Sequence, residues 1–343
     1  MPFVSIPLRP ILSQKAVTGG LFACLLLLVG CSAPSGTDPD DEGRAAGWHE
    51  ETLRHDGGER RFRYYVPDTA SAAVPVVMLL HGGSQSMDAL FADDAGGTQE
   101  WREIAEEEGV LLLVPNGTNR DTGAPTGDNQ TWNDCRPPES EGDAEADDVG
   151  FLTALLDWAI DRFEDGSLSI DRERVFVTGA SNGGMMTYRM ATERPDRVAA
   201  AAAFIANRPK PNQCAPATEP VPLLIVNGTE DPLMPYEGGR IRFGYGTVQS
   251  AEATRRYWVT VNRADTTDVD VQQLPNRSTE DGSVVVCETY PPRSRAGARV
   301  RFCRVDGGGH AMPSIDHQLA GARRQNHDVE GARLAWSFFA REE

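Results

Sequence analysis

Apolar and polar residues follow two rhythms along this chain. Continuous apolar runs fall at residues 74–80, 110–114, 175–177, 198–205 and 221–226. Runs of that length without polar alternation predict strands buried on both faces of a sheet. Residues 61–66 (Arg-Phe-Arg-Tyr-Tyr-Val) alternate instead, as a half-buried strand does. Between the runs, apolar residues recur at helical spacing. Trp101, Ile104 and Ala105 mark a helix over 99–108, and Val149, Leu152, Leu155, Leu156, Ala159 and Ile160 mark one over 148–163. Further helices are predicted over 251–261 and over 328–340, where Leu334, Trp336, Phe338 and Phe339 supply the apolar side. Strands alternating with helices predict the α/β class: a doubly wound, mainly parallel sheet in one domain, residues 48–343. Residues 116–145 carry no regular pattern, and a loop that long inside a compact domain is functional or disordered.

One strand-to-helix junction stands out. Val175-Phe-Val-Thr-Gly-Ala-Ser-Asn-Gly-Gly-Met-Met186 runs from a β-branched strand through small residues into helix formers. Ser181 sits at the apex of the turn, where Gly179, Ala180 and Gly183 leave room for a strained backbone. The first N–H groups of the following helix lack intrahelical partners and face whatever Ser181 attacks. A G-x-S-x-G pentapeptide alone also describes an ordinary tight turn. Its place between strand and helix makes it a candidate nucleophile elbow.

The N-terminus reads as a targeting segment. Arg9 and Lys15 precede an apolar stretch that ends Leu28-Val-Gly-Cys31, too short for a spanning helix. That ending resembles a bacterial lipoprotein signal, which predicts a signal peptide over 1–30, lipidation of Cys31 and a flexible tether over 31–47. A plain secretory signal cut near Ala33 is the alternative, and either way the chain is exported. Formal charge is −18 over 343 residues, and loss of the leader, with two bases and no acid, brings the mature chain to about −20. Such acidity argues against nucleic acid and anionic membrane surfaces as partners. A monomer is expected. Without Cys24 and Cys31, four cysteines remain, an even number in an exported protein, with three possible connectivities. Cys287 and Cys303 lie in β-rich runs able to pair as a hairpin, so Cys287–Cys303 with Cys135–Cys214 is the preferred pairing.

A serine hydroxyl needs a base within hydrogen-bond reach and a carboxylate to orient that base. On α/β-hydrolases the chain order is serine, acid, histidine, each beyond the end of a strand. Asp231 follows the 221–226 strand in Asn227-Gly-Thr-Glu-Asp-Pro232, and His310 follows the Cys303 strand in Gly307-Gly-Gly-His310. Each alone is an ordinary loop residue; together they stand in the right order at the right places. His49, His55, His81, His317 and His327 are rivals for the base, but none follows a late strand on a glycine turn. An oxyanion hole requires the N–H of the residue after the nucleophile, Asn182, and one from an early loop. Gly83 in His81-Gly-Gly-Ser-Gln85 is the first choice, with Ser84 open as the alternative. Trp132 and Tyr236 lie in loops near the expected site and are candidates for stacking on an aromatic acyl group, with ordinary packing as the alternative. Asp147 and Asp148 open a helix and read as its cap. The acidic loop 139–148 lacks the spacing of a calcium loop, and the chemistry needs no metal or organic cofactor.

Leu80-His-Gly-Gly-Ser-Gln85, Trp132-Asn-Asp134, Asp147-Asp-Val-Gly-Phe151, Gly179-Ala-Ser-Asn-Gly-Gly-Met185, Asn227-Gly-Thr-Glu-Asp-Pro232 and Gly307-Gly-Gly-His310 are spaced as in a known esterase family. From about residue 60 onward the chain resembles the extracellular polyhydroxybutyrate depolymerases and feruloyl esterases. The resemblance implies a secreted serine carboxylesterase on an α/β-hydrolase fold, with Ser181 as nucleophile, Asp231 as acid, His310 as base and Gly83 in the oxyanion hole. Ala-Met-Pro follows His310 where members often carry Thr-Trp-Pro, and no stretch resembles a granule-binding module. Both departures count against a polyester depolymerase more than against an esterase. The competing functions are an acyltransferase or peptidase on the same fold, and a non-catalytic surface protein that binds polymer.

Overall fold

The computed structural model describes residues 44–70, 72–137, 146–164 and 168–340. The expected signal peptide, Cys31, most of the tether and the greater part of the acidic loop 139–148 lie outside the described residues.

The chain opens with an antiparallel hairpin of β1 (Gly47–His55) and β2 (Gly58–Val66). β3 (Ala72–Leu80), helix α1 (Glu100–Glu108) and β4 (Leu111–Pro115) follow. Next come helix α2 (Asp148–Glu164), β7 (Leu168–Ala180), helix α3 (Asn182–Glu193), β8 (Ala200–Phe204) and β9 (Leu223–Gly228). Helix α4 (Ala251–Val261), β12 (Asp270–Gln273), β13 (Val284–Tyr290), β14 (Val300–Asp306) and helix α5 (Gly331–Phe339) complete the main elements. One ten-stranded sheet has the order β1-β2-β4-β3-β7-β8-β9-β14-β13-β12. Its centre, from β4 to β14, is parallel; both edges are antiparallel. This is the doubly wound, mainly parallel sheet expected from the apolar pattern.

The continuous apolar runs are explained by cover on both faces. In β3, Val76, Met78 and Leu80 join one core with α2, α3 and α4, while Val77 and Leu79 join the other with α1 and α5. Each fully buried Val, Leu, Ile or Phe contributes roughly 1.5–3 kcal/mol from the area it removes from water. Helix α4 has the bounds read from the sequence, and Ser250 caps it by accepting the Ala253 N–H at 3.1 Å. Helix α5 starts three residues later than expected. Asp328 is spent outside it, accepting the N–H groups of Arg277 and Ser278 at 2.6 and 2.9 Å. Strands β1 and β12 had no sequence signal. Both are edges: β12 is exposed throughout, and β1 carries polar residues on both faces.

The preferred cysteine pairing is the one in the structure. Cys287 and Cys303 face each other across the β13–β14 ladder and are bonded, and Cys135 is bonded to Cys214. The patternless loop after β4 contains a two-residue ladder of β5 (Thr118–Asn119) and β6 (Gln130–Thr131). A second small ladder joins β10 (Gly239–Arg240) to β11 (Thr247–Val248). No helix among the described residues is long and apolar enough to cross a membrane.

Candidate active site

Strand β7 stops at Ala180 and helix α3 starts at Asn182, leaving Ser181 between them at φ 55°, ψ −121°. Non-glycine residues avoid that region, and holding one there costs about 1–3 kcal/mol. The neighbours make it possible. A Cβ on Gly179 would lie 2.6 Å from the Gly183 carbonyl, and one on Gly183 would lie 2.3 Å from Leu80 O. Ser181 is pinned by its own N–H, donated to Phe204 O at 2.9 Å, and by its carbonyl, which accepts Met185 N–H at 2.9 Å. The hydroxyl is thereby lifted off the sheet edge.

The acid and the base come from adjacent strand ends. Asp231 follows β9, and its Oδ1 accepts the N–H groups of Leu233 and Met234, both at 2.8 Å. Oδ2 is left for His310, whose Nδ1 lies 2.6 Å away. The carboxylate is buried and the imidazole half-buried. Their two loops are locked together. Glu230 N–H donates to Gly308 O at 2.9 Å and Gly307 N–H to Thr229 Oγ1 at 2.9 Å. A Cβ on Gly228 would fall 2.4 Å from Gly308 O, so glycine alone permits this approach. With Nδ1 turned to Asp231, the His310 Nε2 is free to take a proton.

Ser181 and His310 line one cavity of about 540 Å³, together with Gly83, Ser84 and Asn182. Among the described residues Ser181 Oγ has no hydrogen-bond partner, so the bond to His310 is open here. Such bonds commonly close only around substrate. Gly82 N–H is taken by Gln85 Oε1 at 2.9 Å, which leaves the exposed Gly83 N–H for the cavity. A Cβ on Gly83 would touch Asn182 Cβ at 3.4 Å, so the two expected oxyanion donors adjoin. His81 supports this loop from beneath: Nδ1 donates to Gly82 O at 2.8 Å and Nε2 accepts Gly117 N–H at 3.0 Å. Burial pulls its pKa down to about 4 and keeps it neutral. None of His49, His55, His81, His317 and His327 lines the cavity.

Two expected contacts need correction. Trp132 is fully buried, its indole N–H donating to His81 O at 2.9 Å and its ring packed against the His81 ring. Tyr236 is also buried and donates its hydroxyl to Glu252 at 2.9 Å. Neither side chain lines the cavity; both turn into the core, where each polar tip finds a partner. The aromatic residues that do line it are Phe243 and Tyr245, in the segment between β10 and β11. Phe243 is 71% exposed and has a positive φ of 65°. The available signal was the alternation of glycine and aromatic residues in Gly238-Gly-Arg-Ile-Arg-Phe-Gly-Tyr-Gly246, directly after the acid loop. Arg136 also lines the cavity and was missed.

Asp147 caps α2 as expected, accepting Gly150 N–H at 3.0 Å, whereas Asp148 is buried and accepts Arg60 at 2.6 Å and Asn133 N–H at 2.7 Å. Among the described residues, Cys135, Glu193 and Cys214 lie close enough together to ligate a metal. The two sulfurs are joined to each other, so they offer no thiolates.

Residues 145–243 match the model of the dienelactone hydrolase family. A putative esterase of Nocardia uniformis subsp. tsuyamanensis is 26% identical over 75% of this chain and 72% of its own length. A bifunctional acetylxylan esterase/xylanase of Neocallimastix patriciarum is 25% identical over 77% of the chain, which spans 33% of that protein. A poly(3-hydroxybutyrate) depolymerase of Ralstonia pickettii is 27% identical over 53% of the chain and 36% of its own length. Proteins named feruloyl esterase match about half of the chain. Among solved structures, an acetyl xylan esterase from Aspergillus awamori superposes with a TM-score of 0.55 at 16% identity, covering 85% of this chain and 99% of that one. The family expected from the motifs is thus the one found among the relatives, and the chain is an α/β-hydrolase of the carboxylesterase class.

Proposed function

We propose that the chain is an exported serine carboxylesterase that works through an acyl-enzyme. Ser181 Oγ attacks the ester carbonyl while His310 Nε2 takes its proton, and buried Asp231 steadies the imidazolium that forms. The carbonyl oxygen becomes an oxyanion between the N–H groups of Gly83 and Asn182. Collapse expels the alcohol, which leaves with the proton from His310. Water then attacks the acyl-enzyme with His310 as base, releasing the acid and Ser181. The observation that carries this reading is the 2.6 Å bond between buried Asp231 and His310, which lines the same cavity as Ser181. Every proton moves between side chains and substrate, so no metal or cofactor is needed.

Two disulfides support export, since such bonds persist in oxidising compartments. In this reading Cys31 carries the lipid anchor, residues 31–47 form the tether, and residues 48–343 act as one monomeric catalytic domain. The substrate is a hydroxycinnamoyl ester of a polysaccharide. Leu90, Leu233, Met312 and Leu319 give the cavity an apolar lining, and exposed Phe243 offers a flat aromatic face. A hydroxyalkanoate ester is the second reading, favoured by the depolymerase among the relatives. The test is hydrolysis of methyl ferulate beside soluble 3-hydroxybutyrate oligomers, with Ser181→Ala as control. Ferulate turnover far above that of the oligomers, lost in Ser181→Ala, is expected; the reverse preference would select the second reading. Substantial activity in Ser181→Ala would remove the mechanism.

A further inference from the structure

The residue after the candidate nucleophile is held in an unusual way. A side-chain amide has two donors and two acceptor positions, and Asn182 uses all four in a buried setting. Its Oδ1 accepts Thr131 Oγ1 at 3.0 Å and Trp132 N–H at 2.8 Å. Its Nδ2 donates to Trp132 O at 3.0 Å and to Asp134 Oδ2 at 2.6 Å. Asp134 is only 2% exposed. Its carboxylate is also gripped by the Arg136 fork, with Nε at 2.8 Å from Oδ1 and Nη2 at 2.8 Å from Oδ2. Arg136 in turn donates Nη1–H to Tyr245 O at 2.6 Å. A line of charge-assisted hydrogen bonds therefore joins the oxyanion residue to the aromatic segment at the cavity mouth.

We propose that Asp134 is a positioning residue for ester hydrolysis, acting through the Asn182 side chain to aim the Asn182 peptide N–H at the oxyanion. The inference rests on the serine esterase reading above. The need for such an anchor follows from the strain at Ser181: the peptide that carries the Asn182 N–H follows a residue at φ 55°, ψ −121°. Strain of that kind persists only where the surroundings over-determine it. Asn182, clamped at four points, is such a surrounding. The N–H of a freed Asn182 would swing away from the oxyanion as the turn relaxes. Loss of one oxyanion donor costs roughly 10²–10³ in kcat, and a misaimed donor should cost part of that.

The test is a double-mutant cycle in the full chain, using Asp134→Asn, which keeps the side chain's shape but removes the charge paired with Arg136, and Asn182→Ala. Activity is read on a small ester such as 4-nitrophenyl acetate, well below each variant's unfolding midpoint. Each single variant should lower kcat about tenfold or more while KM changes less than about threefold, as expected for an interaction made in the transition state. The double variant should fall no further than the worse single. Ser181 phosphonylation by an organophosphonate should slow in parallel with kcat. Wild-type kcat in the folded single variants, a change confined to KM, or multiplicative losses in the double variant would each overturn the inference while leaving the esterase reading intact. Failure of the phosphonate to label Ser181 in the wild type would instead remove that reading, and the inference with it.

Discussion

The two walls of the candidate site are built on different principles. The acid–base wall joins the loop after β9 to β14 and the loop that follows it mostly through backbone: Thr229 N–H to Val305 O and Glu230 N–H to Gly308 O. Glycines let these chains touch. The nucleophile wall is held to the loop after β4 mostly through side chains, with Asn182, Asp134, Arg136 and His81 as its members. Backbone packing depends on small residues at a few positions, which a sequence displays. Side-chain networks depend on partners dozens of residues apart, which it does not.

The difference can be broken from either side. The largest loss is expected from Asp231→Ala, which removes the group orienting His310. Triad carboxylates are worth on the order of 10⁴ in kcat, and steady-state kinetics should show a fall of that order with little change in KM. Next comes Gly228→Ala. Its Cβ would press on Gly308 O from 2.4 Å, displacing the loop that carries His310. A kcat loss of about 10- to 100-fold should accompany a lowered Tm, because the obstacle is backbone that has nowhere to move. On the other wall the effect should be smaller and more divisible. Cys135 sits between Asp134 and Arg136, so Cys214→Ser should loosen that pair and cost a few-fold in kcat. Cys303→Ser, at the β13–β14 edge, should lower stability by about 2–4 kcal/mol and leave kcat unchanged at a temperature where both proteins are folded. Equal kinetic effects from the two cysteine variants would erase the distinction between the walls.

Legibility followed the same division. The central strands were readable because cover on both faces demands unbroken apolar runs, as at Val76–Met78 and Leu223–Val226. Ser181 was readable because the turn cannot form without Gly179 and Gly183, and His310 because it follows a glycine run at a late strand end. Asp231 was readable through chain order. Edge strand β1 was not, since neither of its faces is consistently apolar. Trp132 and Tyr236 were placed in the right loops but facing the wrong way, because no periodicity governs side-chain direction in irregular backbone. The grip of Asp134 and Arg136 was invisible for a third reason: it exists only once residues 134 and 182 are brought together by the fold.

The measurement that bears most directly on the account is covalent labelling of the full chain with a fluorophosphonate, read by peptide mass spectrometry beside ester hydrolysis. One label per chain is expected, on Ser181, with hydrolysis lost in proportion to labelling and neither seen in Ser181→Ala. Hydrolysis that survives full labelling of Ser181, or a label on another residue that abolishes it, would rule out Ser181 as the nucleophile.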